Sequence, residues 1–171
     1  MVSTPSFGPA QHGVAYAIAV QPDGKIVVTG VADGGDDDYG VARLNLDGTL
    51  DQSFGGDGTV IVGQDSTNEQ AYGVAIHASG RILISGASGE YLTSDFALAV
   101  LRNDGSVDTS FQESGWLMTD FHSSRDYAQD VIITGDTTLL AGSAINEGTD
   151  FALARYTLGI VRLSGPTRLG R

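Results

Sequence analysis

The chain has 171 residues, a formal net charge of −12, 24 glycines and no cysteine. These numbers exclude a disulfide, a zinc–thiolate site and a cysteine nucleophile. With 21 acidic residues and Lys25 as the only lysine, the sequence offers no basic face for a nucleic acid. It has no run of apolar residues long enough for a membrane span, and no signal peptide is expected in residues 1–13. We expect one domain over residues 1–171.

Three similar segments follow one another along the chain, at residues 16–30, 72–86 and 127–142, each opening with tyrosine and closing with glycine. The closing glycines are about 56 residues apart in both steps, and such a period indicates tandem supersecondary units. The predicted repeats span about residues 14–69, 70–125 and 126–160, and residues 157–171 form a divergent tail.

Each complete repeat contains four apolar runs, which predict four strands, at about 14–20, 25–30, 39–45 and 58–63 in the first copy. Asp-Gly pairs between the runs indicate hairpin turns. In one run, Phe96 and Leu98 alternate with Ala97 and Ala99, so both faces of the strand are apolar, one bulky and one small.

Such alternation predicts sheets packed on both faces, as in a propeller, where bulky side chains of one sheet lie on alanines of the next. The sequence therefore predicts an all-β β-propeller with three four-stranded blades of about 56 residues per chain. The alternative is a β-sandwich in which the internal similarity is coincidental.

The pattern Q-P-D-G-K-I-V-V-x-G, followed by Y-x-V-A-R-L-N-x-D-G-x-L-D-x-S-F-G, resembles the bacterial delta-60 repeat family. The resemblance covers about residues 14–156; it is closest in the first repeat, weaker in the second, and stops after Tyr156. It implies a β-propeller and a secreted or cell-surface location in bacteria. It implies no catalytic residues.

Three blades would leave two apolar faces in water, whereas single-chain propellers usually have four to eight blades. We therefore expect self-association into a homodimer whose two chains form one six-bladed ring with twofold symmetry. The alternative is a compact three-bladed monomer whose axis is filled by side chains.

Acidic residues concentrate between the second and third strands of each repeat. In the first repeat this glycine-rich loop suggests an oxygen-ligand site for Ca²⁺, with Asp33, Asp36 and Asp37 as candidate metal ligands. Equivalent positions of the three repeats hold candidate ligand-binding carboxylates around one opening: Asp38, Asp95 and Asp150. The favoured interpretation is that these aspartates start strands by binding nearby backbone, with no cofactor, and Ca²⁺ binding is the alternative.

Arg43 and Arg155 lie on the bulky face of the third strand in their repeats, and Asp51 and Asp108 follow the next turn in the first and second repeats. One interpretation is an Arg–carboxylate pair that holds the turn or the neighbouring blade. The other is that Arg43 and Arg155 bind an anionic ligand near the axis.

A serine hydrolase is the alternative to a binding protein. His122 is the candidate base, and Ser88, Ser123 and Ser143 are candidate nucleophiles, although the chain has no G-x-S-x-G motif. The favoured prediction is a non-enzymatic, extracellular binding or scaffold module with a carbohydrate or protein ligand on one loop face. The alternative is a carboxylic ester hydrolase with its site at a loop face or a subunit groove.

Overall fold

A computed structural model describes residues 12–33, 37–64, 67–90 and 92–159 of the chain. The described residues form eleven strands: β1 (His12–Val20), β2 (Ile26–Asp33), β3 (Asp37–Leu44), β4 (Thr59–Val62), β5 (Glu69–Ile76), β6 (Ile82–Ser88), β7 (Asp95–Leu101), β8 (Trp116–Thr119), β9 (Asp126–Thr134), β10 (Thr137–Ile145) and β11 (Thr149–Thr157). No helix in the described part of the chain is long and apolar enough to cross a membrane.

The strands form three antiparallel sheets in which neighbours in sequence are neighbours in space: β1-β2-β3-β4, β5-β6-β7-β8 and β9-β10-β11. The all-β prediction is confirmed, and the first two sheets have the predicted four strands. The third sheet has three strands among the described residues. After Tyr156 the sequence lacks the N-x-D-G turn that leads toward the fourth strand in the first repeat, and residues 160–171 of the divergent tail lie outside the described part.

The first joint, between the first and second sheets, packs bulky side chains against small ones. Tyr39 and Val41 of β3 share one buried cluster with Ala97 and Ala99 of β7. Phe54, from the loop after β3, is fully buried in the same cluster. Burial on both sides explains why the strands are apolar on both faces.

The second joint, between the second and third sheets, repeats this arrangement. Phe96 and Leu98 of β7 share a buried cluster with Ala128 of β9 and Ala154 of β11, and Phe111 takes the place of Phe54. The predicted packing of a bulky face on the alanines of the next sheet is therefore confirmed at both joints.

The three sheets form an arc that does not close into a ring. Apolar side chains are exposed at both ends of the arc: Ile18 and Val20 are 68% and 66% exposed on the first sheet, and Phe151 is 97% exposed on the third. The first strands of the sheets, β1, β5 and β9, lie side by side along the inside of the arc. The groove described below runs along these strands.

A β-bulge in each inner strand explains the glycine that closes each of the three similar segments, at Gly30, Gly86 and Gly142. A Cβ added at Gly86 would lie 2.0 Å from the carbonyl oxygen of Gln70 on β5, so a larger residue could not pair there without moving the strand. A Cβ added at Gly30 or Gly142 would likewise clash with a backbone carbonyl oxygen, that of Val14 on β1 or that of Tyr127 on β9. The bulged residues are Tyr16, Tyr72 and Gln129.

This register corrects the sequence alignment of the third repeat, in which Tyr127 was matched to Tyr72. Tyr127 pairs with Ser143, as Gln70 pairs with Ala87, and Gln129 takes the bulge position of Tyr72. The third repeat therefore exchanges the tyrosine and glutamine positions of the second. Both residue types reach the inside of the arc at either position, since both belong to the groove lining.

Candidate functional site

The inner strands border a cavity of about 710 Å³, which we call the axial groove. Its walls combine aromatic, amide and charged side chains, a mixture typical of sites for polar ligands. The principal lining residues are Tyr16, Asp37, Asn68, Gln70, Tyr72, Arg125, Tyr127 and Gln129.

Three tyrosines form the aromatic wall of the axial groove. The ring centroids of Tyr16 and Tyr72 lie 5.5 Å apart, and those of Tyr72 and Tyr127 lie 6.2 Å apart. Desolvation, with the neighbouring Tyr127 and Tyr16 hydroxyls, raises the pKa of Tyr72, so its hydroxyl stays protonated at neutral pH. Together the rings offer apolar surface edged with hydroxyl groups.

Hydrogen bonds hold the polar side chains of the axial groove in position. The Gln70 amide donates to Asp37 Oδ2 at 3.0 Å and accepts from the Tyr72 hydroxyl. Arg125 donates to the Tyr127 hydroxyl, and its guanidinium lies 5.1 Å from the centre of the Tyr127 ring. The groove therefore presents amide, carboxylate and guanidinium groups beside aromatic surface.

Arg43 lies in the first joint, away from the lining of the axial groove, and is 2% exposed. Its Nε donates to Asp51 Oδ2 at 2.7 Å, and its Nη1 donates to both the side-chain and backbone oxygens of Asn103 on the second sheet. The guanidinium also stacks 4.7 Å from the centre of the Phe54 ring. These contacts match the interpretation of Arg43 as part of an Arg–carboxylate pair that holds the neighbouring blade.

The carboxylate of Asp51 is held ionised by its surroundings. Burial opposes ionisation, but hydrogen bonds from Lys25 and Ser53 and the positive charge of Arg43 outweigh it, so the pKa of Asp51 lies well below its usual range. Lys25 adds an ion pair at 2.8 Å. Sequence reasoning missed Lys25, although a cation directly follows the turn glycine in the first two repeats.

The second repeat uses a different cation for the equivalent carboxylate. Val100 takes the place of Arg43, and Asp108 binds Arg81 Nε at 2.7 Å instead. Arg81 is the counterpart of Lys25. In the third repeat Arg155 is exposed on the open face of the third sheet, the face that also carries Phe151. The two arginines singled out in the sequence therefore lie in different environments.

Several other aspartates act as turn residues, each accepting hydrogen bonds from the hydroxyl and backbone N–H of a Ser or Thr two positions later. These bonds lower the pKa values of Asp47, Asp57 and Asp104. The sequence signal for these turns is the pattern Asp-x-Ser/Thr. With Asp51 and Asp108, five of the 21 acidic residues thus stabilise turns; the pairs are Asp47–Thr49, Asp51–Ser53, Asp57–Thr59, Asp104–Ser106 and Asp108–Ser110.

The acidic loop after β2 is only partly described. Asp36 and the side chain of Asp33 lie outside the described residues, so only Asp37 of the three candidate calcium ligands can be placed. Its carboxylate accepts from Gln70, and its N–H donates to Asn68 Oδ1 at 3.3 Å. Asp37 is therefore a residue of the axial groove.

The structure places the three equivalent aspartates at the starts of the third strands, on different blades. Asp38 lies beside Gly63, and Asp150 is exposed. Asp95 lies with Asp120 and Asp126, and one carboxylate oxygen from each of these three is within 4.8 Å of the others. We call these three residues the carboxylate trio; sequence reasoning found only Asp95, because the other two carboxylates are more than twenty positions away.

Mutual repulsion and burial perturb the carboxylate trio. Desolvation, with the charges of Asp120 and Asp126, raises the pKa of Asp95 to about 6. Desolvation also raises the pKa of Asp126, which is fully buried. Among the described residues, no Lys, Arg or His forms an ion pair with any of the three.

The candidate hydrolase residues are engaged in other contacts. Ser88 is buried and donates to Glu69 Oε1 at 2.8 Å, and the Ser123 hydroxyl donates to Asp120 at 3.3 Å. Ser143 lies in β10 between Tyr127 and Phe151. Within the described part of the chain, no hydrogen bond joins the His122 imidazole to any of the three serines.

Comparison with known families bears on the first two repeats. Residues 21–54 and 77–111 match the model of a family described as a domain of unknown function (DUF5122) beta-propeller. No curated protein matches the chain significantly. Each matched segment runs from the turn before the second strand to Phe54 or Phe111. The match to these two segments supports a β-propeller repeat family, and the stacked antiparallel sheets are consistent with propeller blades.

Proposed function

We propose that the protein is a non-enzymatic β-propeller binding module whose axial groove takes a hydroxyl-rich ligand of the carbohydrate class. The observation that carries the proposal is the wall of Tyr16, Tyr72 and Tyr127, with ring centroids 5.5 and 6.2 Å apart. Aromatic surface can cover the apolar face of a sugar ring.

The polar residues of the axial groove supply the hydrogen bonds that such a ligand needs. Gln70, Asn68 and Gln129 each offer an amide with donors and an acceptor, while Asp37 accepts and Arg125 donates. Sugar hydroxyls both donate and accept, so this mixed set complements them better than a set of one charge. The proposed ligand surface is therefore the axial groove, whose lining includes Asp37, the first residue of β3.

A glycan array probed with the labelled protein, followed by calorimetry with the best oligosaccharide, tests the proposal. Tyr16→Ala removes a ring that is 53% exposed and is expected to leave the fold intact while weakening binding by about tenfold or more. Gln129→Ala removes an exposed amide of the groove and should also weaken binding.

Gln52→Ala serves as the matched control, because Gln52 is exposed and lies outside the groove. It should bind like the parent chain. The proposal is wrong if no glycan binds, or if Tyr16→Ala and Gln52→Ala bind a glycan with equal affinity.

We also propose that a second copy of the chain covers the open ends of the arc. The outer face of the third sheet carries bulky residues, including Phe151 at 97% and Ile132 at 56% exposure. At the opposite end of the arc the first sheet exposes Ile18 and Val20, at 68% and 66%, while Gly40 and Ala42 of β3 are buried. A contact between these two ends would cover the exposed apolar side chains of both chains.

Two such contacts would join two chains into a six-bladed ring with twofold symmetry. Light scattering after gel filtration should give the mass of a dimer at micromolar concentration, and Phe151→Ser should give a monomer. Leu92→Ser is the control, since Leu92 is 68% exposed in a loop before β7. A monomeric parent chain would refute self-association without affecting the glycan test.

The extracellular location and the specific membership of the delta-60 repeat family stay proposals that rest on the sequence resemblance. Fractionation of the source bacterium with an antibody to the chain tests the location. Recovery of the protein only from the cytosol would contradict it.

A further inference from the structure

The carboxylate trio lies at the second joint and joins two blades. Asp95 begins β7, Asp120 follows β8, and Asp126 begins β9. One oxygen from each carboxylate lies within 4.8 Å of the other two, and no described basic side chain forms an ion pair with them. Three ionised carboxylates at this separation repel one another, and either a proton on one of them or a cation between them relieves that repulsion.

An unpartnered buried oxygen is independent evidence for a missing ligand at the trio. Asp126 is 0% exposed; its Oδ2 accepts the Phe121 N–H at 2.8 Å, whereas its Oδ1 makes no hydrogen bond of normal geometry among the described residues. Desolvation keeps the pKa of Asp126 raised, because it outweighs the Ile145 N–H and the charge of His122, which favour the ionised carboxylate. A buried carboxylate oxygen without a partner is costly, so native proteins rarely keep one. Coordination of a cation would satisfy it.

The equivalent place at the first joint lacks these features. By strand register, Glu69 occupies the position of Asp126, and it accepts hydrogen bonds from Ser88 and Thr67. Gly63 stands where the trio has Asp120, so that position holds no third carboxylate. In the third sheet Ala144 replaces Ser88, which removes the hydroxyl partner of the buried acid.

We propose that Asp95, Asp120 and Asp126 bind a divalent cation of the calcium type that ties the second and third blades together. The donors are all carboxylate oxygens, which hard cations prefer, and none is a thiol or imidazole. Asp120 is exposed, so water can complete the coordination shell. With only three protein carboxylates, we expect a dissociation constant on the order of 10⁻⁴–10⁻³ M.

Calorimetric titration of the chelator-treated full chain with CaCl₂ tests the proposal, at constant ionic strength and at a pH above 7. The expected result is one site per chain and a melting temperature that rises with CaCl₂. Asp120→Asn and Asp126→Asn should each weaken binding by about tenfold or more. Both variants remove a repulsive charge, so both are expected to fold.

Glu147→Gln is the matched control, because it removes one negative charge from an exposed residue outside the trio. It should bind CaCl₂ like the parent chain. The proposal is refuted if the parent chain shows no calcium heat and no thermal shift, or if all three variants respond equally, which would mean general screening of the −12 charge. None of these outcomes depends on glycan binding.

Discussion

At the first joint, the buried Arg43 reaches across to Asn103, and Glu69 has its hydroxyl partners. At the second joint, Val100 stands in the place of Arg43, and Asp126 keeps an oxygen without a partner. The bulky-on-alanine packing is nevertheless the same at both. The repeat therefore preserves the shape of the joint, while its polar contacts vary from one copy to the next.

The largest effect is expected from removing the phenylalanine of either joint. Phe54→Ala and Phe111→Ala should each lower the free energy of unfolding by about 3–5 kcal/mol, since each side chain is buried in a joint cluster. Urea unfolding of both variants measures this. A loss at only one joint would show that the two hydrophobic interfaces are not equivalent.

Replacing Arg43 by valine gives the first joint the residue of the second. Asp51 and Asn103 then lose a buried donor, so we expect the free energy of unfolding to fall by about 3 kcal/mol. This value is at the lower end for a broken buried ion pair because Lys25 still binds Asp51. Arg102→Ala, which removes a half-exposed guanidinium 3.5 Å from Asp108, should cost less than about 1 kcal/mol. Equal losses in urea unfolding would show that Arg43 does not hold the joint.

Acid should weaken both joints through Asp51 and Asp108, whose pKa values are lowered in the folded protein. Because these folded pKa values lie below the unfolded value of about 4, Asp51 and Asp108 stabilise the folded protein fully above that pH. It is lost as the pH falls through the folded values. Melting temperatures measured from pH 7 downward should fall below about pH 4, and Asp51→Asn should flatten that decline. An unchanged decline would exclude Asp51 as a contributor.

The smallest expected effects have opposite signs at the two joints. In chelator, Asp126→Asn removes a repulsive charge and should raise the free energy of unfolding by up to about 1 kcal/mol. Glu69→Gln weakens the hydrogen bonds from Ser88 and Thr67 and should lower it by about 1 kcal/mol. Changes of the same sign in urea unfolding would contradict the contrast between the joints.

Local pattern predicted most of the fold and little of the candidate site. The predicted first-repeat strands differ from β1–β4 by at most three residues at any end, because apolar runs and Asp-Gly turns mark strand bounds locally. The axial groove and the carboxylate trio join residues from different repeats. No spacing rule predicted that Asp95 would meet Asp126, or that Tyr127 would pair as Gln70 does.

The sequence by itself determined the repeat, its strands and the two-faced packing, since the alternation of bulky and small residues dictates how sheets must stack. Tertiary structure decided which polar groups meet where the sheets stack. It placed Arg43 against Asn103, left the arc open at Phe151, and brought together three carboxylates that form no ion pair with a described Lys or Arg. The physical reason is that electrostatic partners are chosen by distance in space, whereas strands and turns are chosen by neighbours along the chain.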